Sequence, residues 1–234
     1  MLLLLPPVWL SLLANARQIP SPRMAATGPC ESSGWPLLQG VLDKVPVFTV
    51  ANSEEQPLQY QVGDQKLTVF YADVKVATKE YMTARDQYPD LGCDIISIGL
   101  GNAYKLAVAG EAVIVPGMAE LVGAGAPEDA QALGQELPLF ACMEMKLEGD
   151  AGAKVPLFMS YDDCAAAIAQ ESSADAPMQI NAVLSLQSLV EELAELADPA
   201  SGEFALQVPS ASVQHGASYV GSGVYMRKVD EEDQ

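Results

Sequence analysis

Val45-Pro46-Val47-Phe48-Thr49-Val50 joins β-branched and aromatic residues with a proline near its start, and the chain returns to that pattern at Leu137-Pro138-Leu139-Phe140. Such runs read as β-strands, and the segments after each copy are alike in kind and order. After the first copy, Leu58, Tyr60 and Val62 alternate as a strand does, and Gly63-Asp64 turns the chain. Residues 67–71 form a nearly continuous apolar run, which predicts a strand covered on both faces. Asp73 is placed to cap a helix to about Tyr88, with Val74, Ala77, Tyr81, Ala84 and Tyr88 on its inner face and Pro89 stopping it. A strand at 93–100, a weak helix at 102–108 and a short strand at 112–115, closed by Pro116, complete the unit.

The order then repeats. Residues 137–145 read as a strand, Gly149-Asp150-Ala151-Gly152 as a turn, and Val155-Pro156-Leu157-Phe158-Met159 answers the run at 67–71. Asp162 is expected to cap a helix through Gln170 with Ala165, Ile168 and Ala169 inward, and residues 180–186 answer 93–100. Leu186, Leu189, Val190, Leu193 and Leu196 form one apolar helical stripe, with Glu191, Glu192 and Glu195 on the wet side. A strand at 204–208 is closed by Pro209. Val45 and Leu137 stand 92 positions apart, Phe70 and Phe158 88, and Pro116 and Pro209 93. The expected fold class is α/β (α+β): internally duplicated β-β-α-β-α-β halves related by a pseudo-twofold axis, with apolar clefts between or beside them. One half of about 80–90 residues leaves a sheet face or helix stripe exposed, so the two must cover each other.

The expected divisions are a first half at 35–116 (opening with a short helix on Leu37, Leu38, Val41 and Leu42), a linker helical in two pieces around Pro127 at 117–136, a second half at 137–209, and an acidic tail at 210–234. Ahead of them, residues 1–16 resemble a signal peptide: an apolar run followed by Ala14-Asn15-Ala16. At about 1.5 Å per helical residue that run reaches about 18 Å, short of a ~30 Å hydrocarbon core. Residues 17–34 begin with arginines, hydroxyls and small side chains and no acid, which is transit-peptide-like and suggests a two-part plastid address, an ordinary secretory leader before a loose mature end being the competing reading.

Composition narrows the chemistry. The chain has 234 residues, mean hydropathy +0.15, and 31 Asp plus Glu against 12 Lys plus Arg, a formal charge of −19. That field repels phosphates and attracts cationic partners, which excludes nucleic-acid binding. The four cysteines, Cys30, Cys93, Cys142 and Cys164, form no C-x-x-C pair, and the single His215 leaves no metal set; buried or free thiols are expected, with His215 in an exposed loop. Gly99-Leu100-Gly101-Asn102-Ala103-Tyr104 begins like a dinucleotide loop, but Tyr104 replaces the third glycine. No catalytic residue, cofactor-binding residue or metal ligand is assigned, and the chain is not read as an enzyme. Met143 and Met145 straddle Glu144 on the expected strand, and thioethers adapt to varied side chains. With Phe48, Phe70, Phe140 and Phe158 they make a candidate apolar peptide-binding surface, core filling being the competing role.

Leu42-Asp43-Lys44-Val45-Pro46-Val47-Phe48-Thr49-Val50-Ala51-Asn52 resembles the opening of the 22-kilodalton Tic component family, soluble subunits of the chloroplast inner-envelope translocon and their cyanobacterial relatives. The resemblance continues at Val69-Phe70-Tyr71-Ala72-Asp73, Ser97-Ile98-Gly99-Leu100-Gly101-Asn102-Ala103-Tyr104, Val113-Ile114-Val115-Pro116, Leu137-Pro138-Leu139-Phe140 and Val155-Pro156-Leu157-Phe158, spanning about residues 35–210. It implies a duplicated α/β fold with hydrophobic pockets and no catalytic residues. It also implies a chaperone-like role in plastid protein import, with precursor proteins or transit peptides and translocon subunits as partners, no cofactor, and at most a peripheral association with membrane. The implied location is the envelope intermembrane space, with lumen or stroma as alternatives. The competing expectation is a non-catalytic accessory subunit of a plastid photosynthetic complex.

Overall fold

Period-two alternation decides where each strand side chain goes, because successive Cβ atoms point to opposite faces of a sheet. In the computed structural model of this chain, residues 28–62, 65–148, 152–173, 177–196, 198, 203–216, 219–222 and 225–228 are described. The leader at 1–16, most of segment 17–34, the turns at Gly63-Asp64 and Gly149-Asp150-Ala151, and the acidic end at 230–234 lie outside those residues. Strands β1 (Pro46–Ala51), β2 (Gln59–Val62), β3 (Gln65–Tyr71), β4 (Asp94–Gly99) and β5 (Ala112–Val115) share a seven-stranded sheet with β10 (Tyr219–Ser222) and β11 (Tyr225–Lys228). A four-stranded sheet holds β6 (Pro138–Ala141), β7 (Val155–Phe158), β8 (Ala182–Ser185) and β9 (Phe204–Gln207). The helices are α1 (Trp35–Leu42), α2 (Val74–Gln87), α3 (Leu100–Val108), α4 (Met118–Gly123), α5 (Tyr161–Glu171), α6 (Leu186–Ala194) and α7 (Ser210–Gly216).

The fold is a mixed α/β one with two sheets. The strand order β4-β1-β3-β5 of the first sheet recurs as β8-β6-β7-β9 in the second. Pair by pair the senses agree: antiparallel, antiparallel, parallel. β2 has no full counterpart, since only the bridge Leu147–Lys154 stands at its place in the second sheet.

One central core takes the inner faces of both sheets: Val45, Val47 and Phe70 from the first, Leu139, Val155 and Leu157 from the second, with α1, α3 and α6. The opposite face of the first sheet packs Phe48, Val69, Tyr71 and Ile95 against Val74 and Ala77 of α2. The opposite face of the second packs Phe140 against Cys164 and Ile168 of α5. Each large apolar side chain so buried is worth about 1.5–3 kcal/mol, which is why strands with both faces covered read as continuous apolar runs.

Several expectations shift. Phe158 pairs with Phe140 as Tyr71 pairs with Phe48, so Phe158 stands at the place of Tyr71, one residue off the expected match with Phe70. A one-residue slip moves a side chain to the other face. Phe70 accordingly faces the central core and Phe158 faces α5. β6 ends at Ala141 because Met145 N–H turns back to the Cys142 carbonyl and Met143 N–H donates to Asn181 Oδ1. Helix α5 is capped by Ser160, whose hydroxyl accepts from Asp163 N–H, rather than by Asp162; its buried residues are Cys164 and Ile168, while Ala165 and Ala169 are exposed. Asp73 caps α2 as expected, accepting from Lys75 N–H at 2.8 Å.

In α1 the buried face is Trp35, Leu38 and Leu42, leaving Leu37 outside. Helix α6 ends before Leu196, which is exposed. Of the expected two-piece linker helix, only α4 forms; residues 124–137 run through turns. Residues 210–216, 219–222 and 225–228 are not a tail. They make α7 and a β10–β11 hairpin that adds to β4.

Candidate functional site

The structure scatters the predicted apolar surface. Phe48, Phe70, Phe140 and Met145 are buried, divided among three cores, so they hold the fold together and offer no surface as they stand. Met143 and Met145 do not share a face: with β6 ended, Met143 is 42% exposed and Met145 is buried. Phe158 is half-buried and lines a groove.

The groove lies beside α5 and has a volume of about 290 Å³, at the small end of the range for ligand pockets. Phe158 of β7 forms its apolar end, Asp163, Ala166, Ala167 and Gln170 one wall, and Gln207, Val208 and Ser210 the other. The first half shows why it exists. There Tyr71 pairs with Val115 and both are buried, whereas here Phe158 pairs with Gln207 and both are half-buried. In the first half Ala132 and Leu133, from the connection between halves, pack against the cluster containing Tyr71 and Val115. Small Ala166 and Ala167 hold the places that Lys79 and Glu80 hold after the α2 cap. Asp163 replaces Val76 at the third helical position, and its carboxylate accepts from Ser210 N–H and Ser210 Oγ, both at 2.7 Å. A charge-assisted pair of hydrogen bonds thus ties the two walls together at Asp163 and Ser210. Its surroundings are acidic: residues 137–216 carry 12 Asp and Glu against Lys146 and Lys154 alone.

The glycine loop is closed for a reason the sequence did not disclose. The N-terminus of α3, where a dinucleotide's phosphates would lie, holds the chain's own Asp43. Its carboxylate accepts from Asn102 N–H at 2.9 Å and Asn102 Nδ2 at 2.8 Å, and Gln39 Nε2 donates to Asn102 Oδ1 at 3.1 Å. A Cβ on Gly99 would lie 2.7 Å from Asp43 Cα, and one on Gly101 2.8 Å from the Gln39 carbonyl oxygen. The glycines admit α1, and Tyr104 meets Trp35 at 5.9 Å between ring centroids.

All four cysteines are free thiols, Cys142 and Cys164 buried and Cys30 and Cys93 half-buried. Burial first, and then the neighbouring Cys142, push the Cys164 thiol up to about 11; burial also raises Cys30 and Cys93. A thiol raised in this way supplies less of the nucleophilic thiolate. Cys142 Sγ donates to Glu144 Oε2 at 3.2 Å, and that bond, followed by one from the Glu144 backbone and one from Asn181 Nδ2, holds the Glu144 carboxyl below its usual range. His215 is not an exposed loop residue: it lies on α7, half-buried, edge-on to Phe48 at 5.4 Å. Among the described residues no group of three or more His, Cys, Asp or Glu is placed to hold a metal ion.

One group had no sequence signal. Glu120 of α4 is buried, and burial, with Asp73 and Asp162 as lesser contributors, raises its carboxyl against the lowering effect of its own backbone hydrogen bond and Lys75. Glu120 Oε2 has no hydrogen-bond partner. Helix α4 crosses to the second half here, with Gly123 so near the Tyr161 ring that a Cβ would lie 2.7 Å from Cγ.

No protein-family model matches the sequence, and no curated protein matches it. Solved structures do. Tic22 from Plasmodium falciparum superposes with a TM-score of 0.62 at 16% identity, over 76% of this chain and 94% of that one. Anabaena Tic22, described as a protein-transport protein, superposes with a TM-score of 0.62 at 16% identity, over 81% of this chain and 99% of that one. At that identity the likeness is one of fold, and the fold is that of the family whose motifs the sequence resembles.

Proposed function

We propose that this chain is a Tic22-like component of protein translocation, made of two duplicated halves, that holds segments of precursor proteins without catalysing a reaction. The observation that carries the reading is the open groove between Phe158 and α5, set in the acidic half of the molecule. In the first half the chain's own Ala132 and Leu133 pack against the cluster that holds Tyr71 and Val115, which suggests what suits such a place: a short apolar stretch of polypeptide. Transit peptides are basic, hydroxyl-rich and amphipathic. The acidic field gathers them, and the groove takes an apolar side chain for a short time. The shared fold with a protein-transport protein supports the same reading, as does the pairing order common to both sheets. Translocon subunits are the other proposed partners, and a plastid envelope space the proposed location. No helix among the described residues is long and apolar enough to cross a membrane.

The test is fluorescence anisotropy with a labelled basic amphipathic peptide. Raising salt from 0.01 M to 0.15 M shortens the screening length from about 30 to about 8 Å and should weaken binding severalfold. Filling the groove with Ala166→Trp should weaken it about tenfold or more, the equivalent of one apolar side chain left in water. Tight binding indifferent to both changes would refute the reading. Recovery of the protein as a stoichiometric subunit of a photosynthetic complex, with no peptide binding, would favour the accessory-subunit alternative.

A further inference from the structure

Four strands of the first sheet, β4-β1-β3-β5, match the second sheet's β8-β6-β7-β9 in order and sense, yet the outer edges are treated differently. In the first, β11 lies on the far side of β4, pairing antiparallel with Met226 opposite Ser97. In the second, β8 ends the sheet, and no described strand lies beyond it. The ladders correspond in detail. Leu100 N–H bonds the Val45 carbonyl, and Leu186 N–H bonds the Leu137 carbonyl. Alternate residues of an antiparallel pair turn their backbone groups to opposite sides, so the outward residue is Ser97 in β4 and Val183 in β8. Ser97 is 4% exposed and Val183 49%.

We propose that β8 is an acceptor edge: a basic, extended segment of the bound polypeptide pairs antiparallel with it, as β11 pairs with β4. This rests on the peptide-holding reading above and adds a second contact, one made through main-chain hydrogen bonds. Charge selects the occupant. Glu144 stands at one end of β8, its carboxylate held 2.7 Å from Asn181 Nδ2, and exposed Glu191 lies in the helix after the other end. Exposed Met143, whose N–H bonds the Asn181 side chain, gives an adaptable apolar contact beside the entry to the strand. A second copy of this chain would bring a like-charged acidic half to the same edge.

Two measurements test it, both with the labelled basic peptide. Hydrogen exchange of the Val183 amide should slow about tenfold or more when peptide is added. Val183→Pro removes an outward donor and no bond to β6, so it should weaken peptide binding fivefold or more while circular dichroism stays unchanged; Val183→Lys, which adds repulsion without touching the backbone, should do the same. If peptide binds and Ala166→Trp weakens it while exchange at Val183 and both Val183 variants show no effect, the edge proposal falls and the groove reading stands. If no peptide binds at all, both fall. Protection of Val183 that grows with protein concentration in the absence of peptide would assign the edge to a second copy and overturn the proposal.

Discussion

Replacing Asp43 by alanine tests whether the glycine loop is a structural joint. The Asp43 carboxylate is half-buried and makes two hydrogen bonds to Asn102, at 2.9 and 2.8 Å, one of them to a free N–H at the start of α3. Loss of a capping side chain costs about 0.5–2 kcal/mol, and a hydrogen bond to a charged group is worth about 1.5–3 kcal/mol, less where water reaches it. Together these give about 2 kcal/mol for Asp43→Ala. In a domain of this size that lowers Tm by about 4–8 °C. Asp43→Asn keeps one acceptor and should lose about half as much. Gly101→Ala drives a Cβ to within 2.8 Å of the Gln39 carbonyl oxygen, a backbone atom that moves only with α1, and should cost at least as much as Asp43→Ala. Urea unfolding of the three variants, followed by far-ultraviolet circular dichroism, checks the order. A loss below about 0.5 kcal/mol for both Asp43→Ala and Gly101→Ala would refute the joint, and detectable nucleotide binding by Asp43→Ala would reopen the loop as a vacated phosphate site.

Phe140→Ala should cost about 3–5 kcal/mol, because the ring is fully buried under α5; intact stability with lost peptide binding would return it to the surface role expected at first. Glu120→Gln should stabilise the protein at neutral pH by roughly 1 kcal/mol, relieving a buried carboxylate. Since burial raises the Glu120 carboxyl in the folded state, the unfolded chain loses its proton first as pH rises, so stability falls from the ordinary carboxylate range up to the raised one and then levels. The advantage of Glu120→Gln should accordingly vanish below about pH 4, which unfolding at pH 3.5 and pH 7 measures. Leu133→Ser should loosen the packing over the cluster of Tyr71 and Val115 and, if that place suits a peptide as the groove does, raise peptide stoichiometry in calorimetry, with only a small loss of stability because Leu133 is half-buried.

What was legible in the amino-acid sequence is what neighbours in the chain decide. The order of strands and helices, the Asp73 cap, the stop at Pro89 and the apolar stripe of α6 all come from periods of two and 3.6 and from the needs of helix ends. These forces act within a few residues, so the pattern survives without coordinates. The tertiary structure alone decided the rest. Pairing register put Phe158 in the place of Tyr71 and so on the groove, a shift of one residue that no local pattern encodes. Asp43 reached Asn102 across 59 positions, Glu120 came near Asp73 and Asp162 at the starts of two other helices, and a segment expected to be a tail supplied a strand to the first sheet while no described strand lies beyond β8. Each outcome depends on which distant surfaces come together, and burial then fixes whether a phenylalanine is core or contact and whether a glycine loop meets a ligand or the protein's own carboxylate.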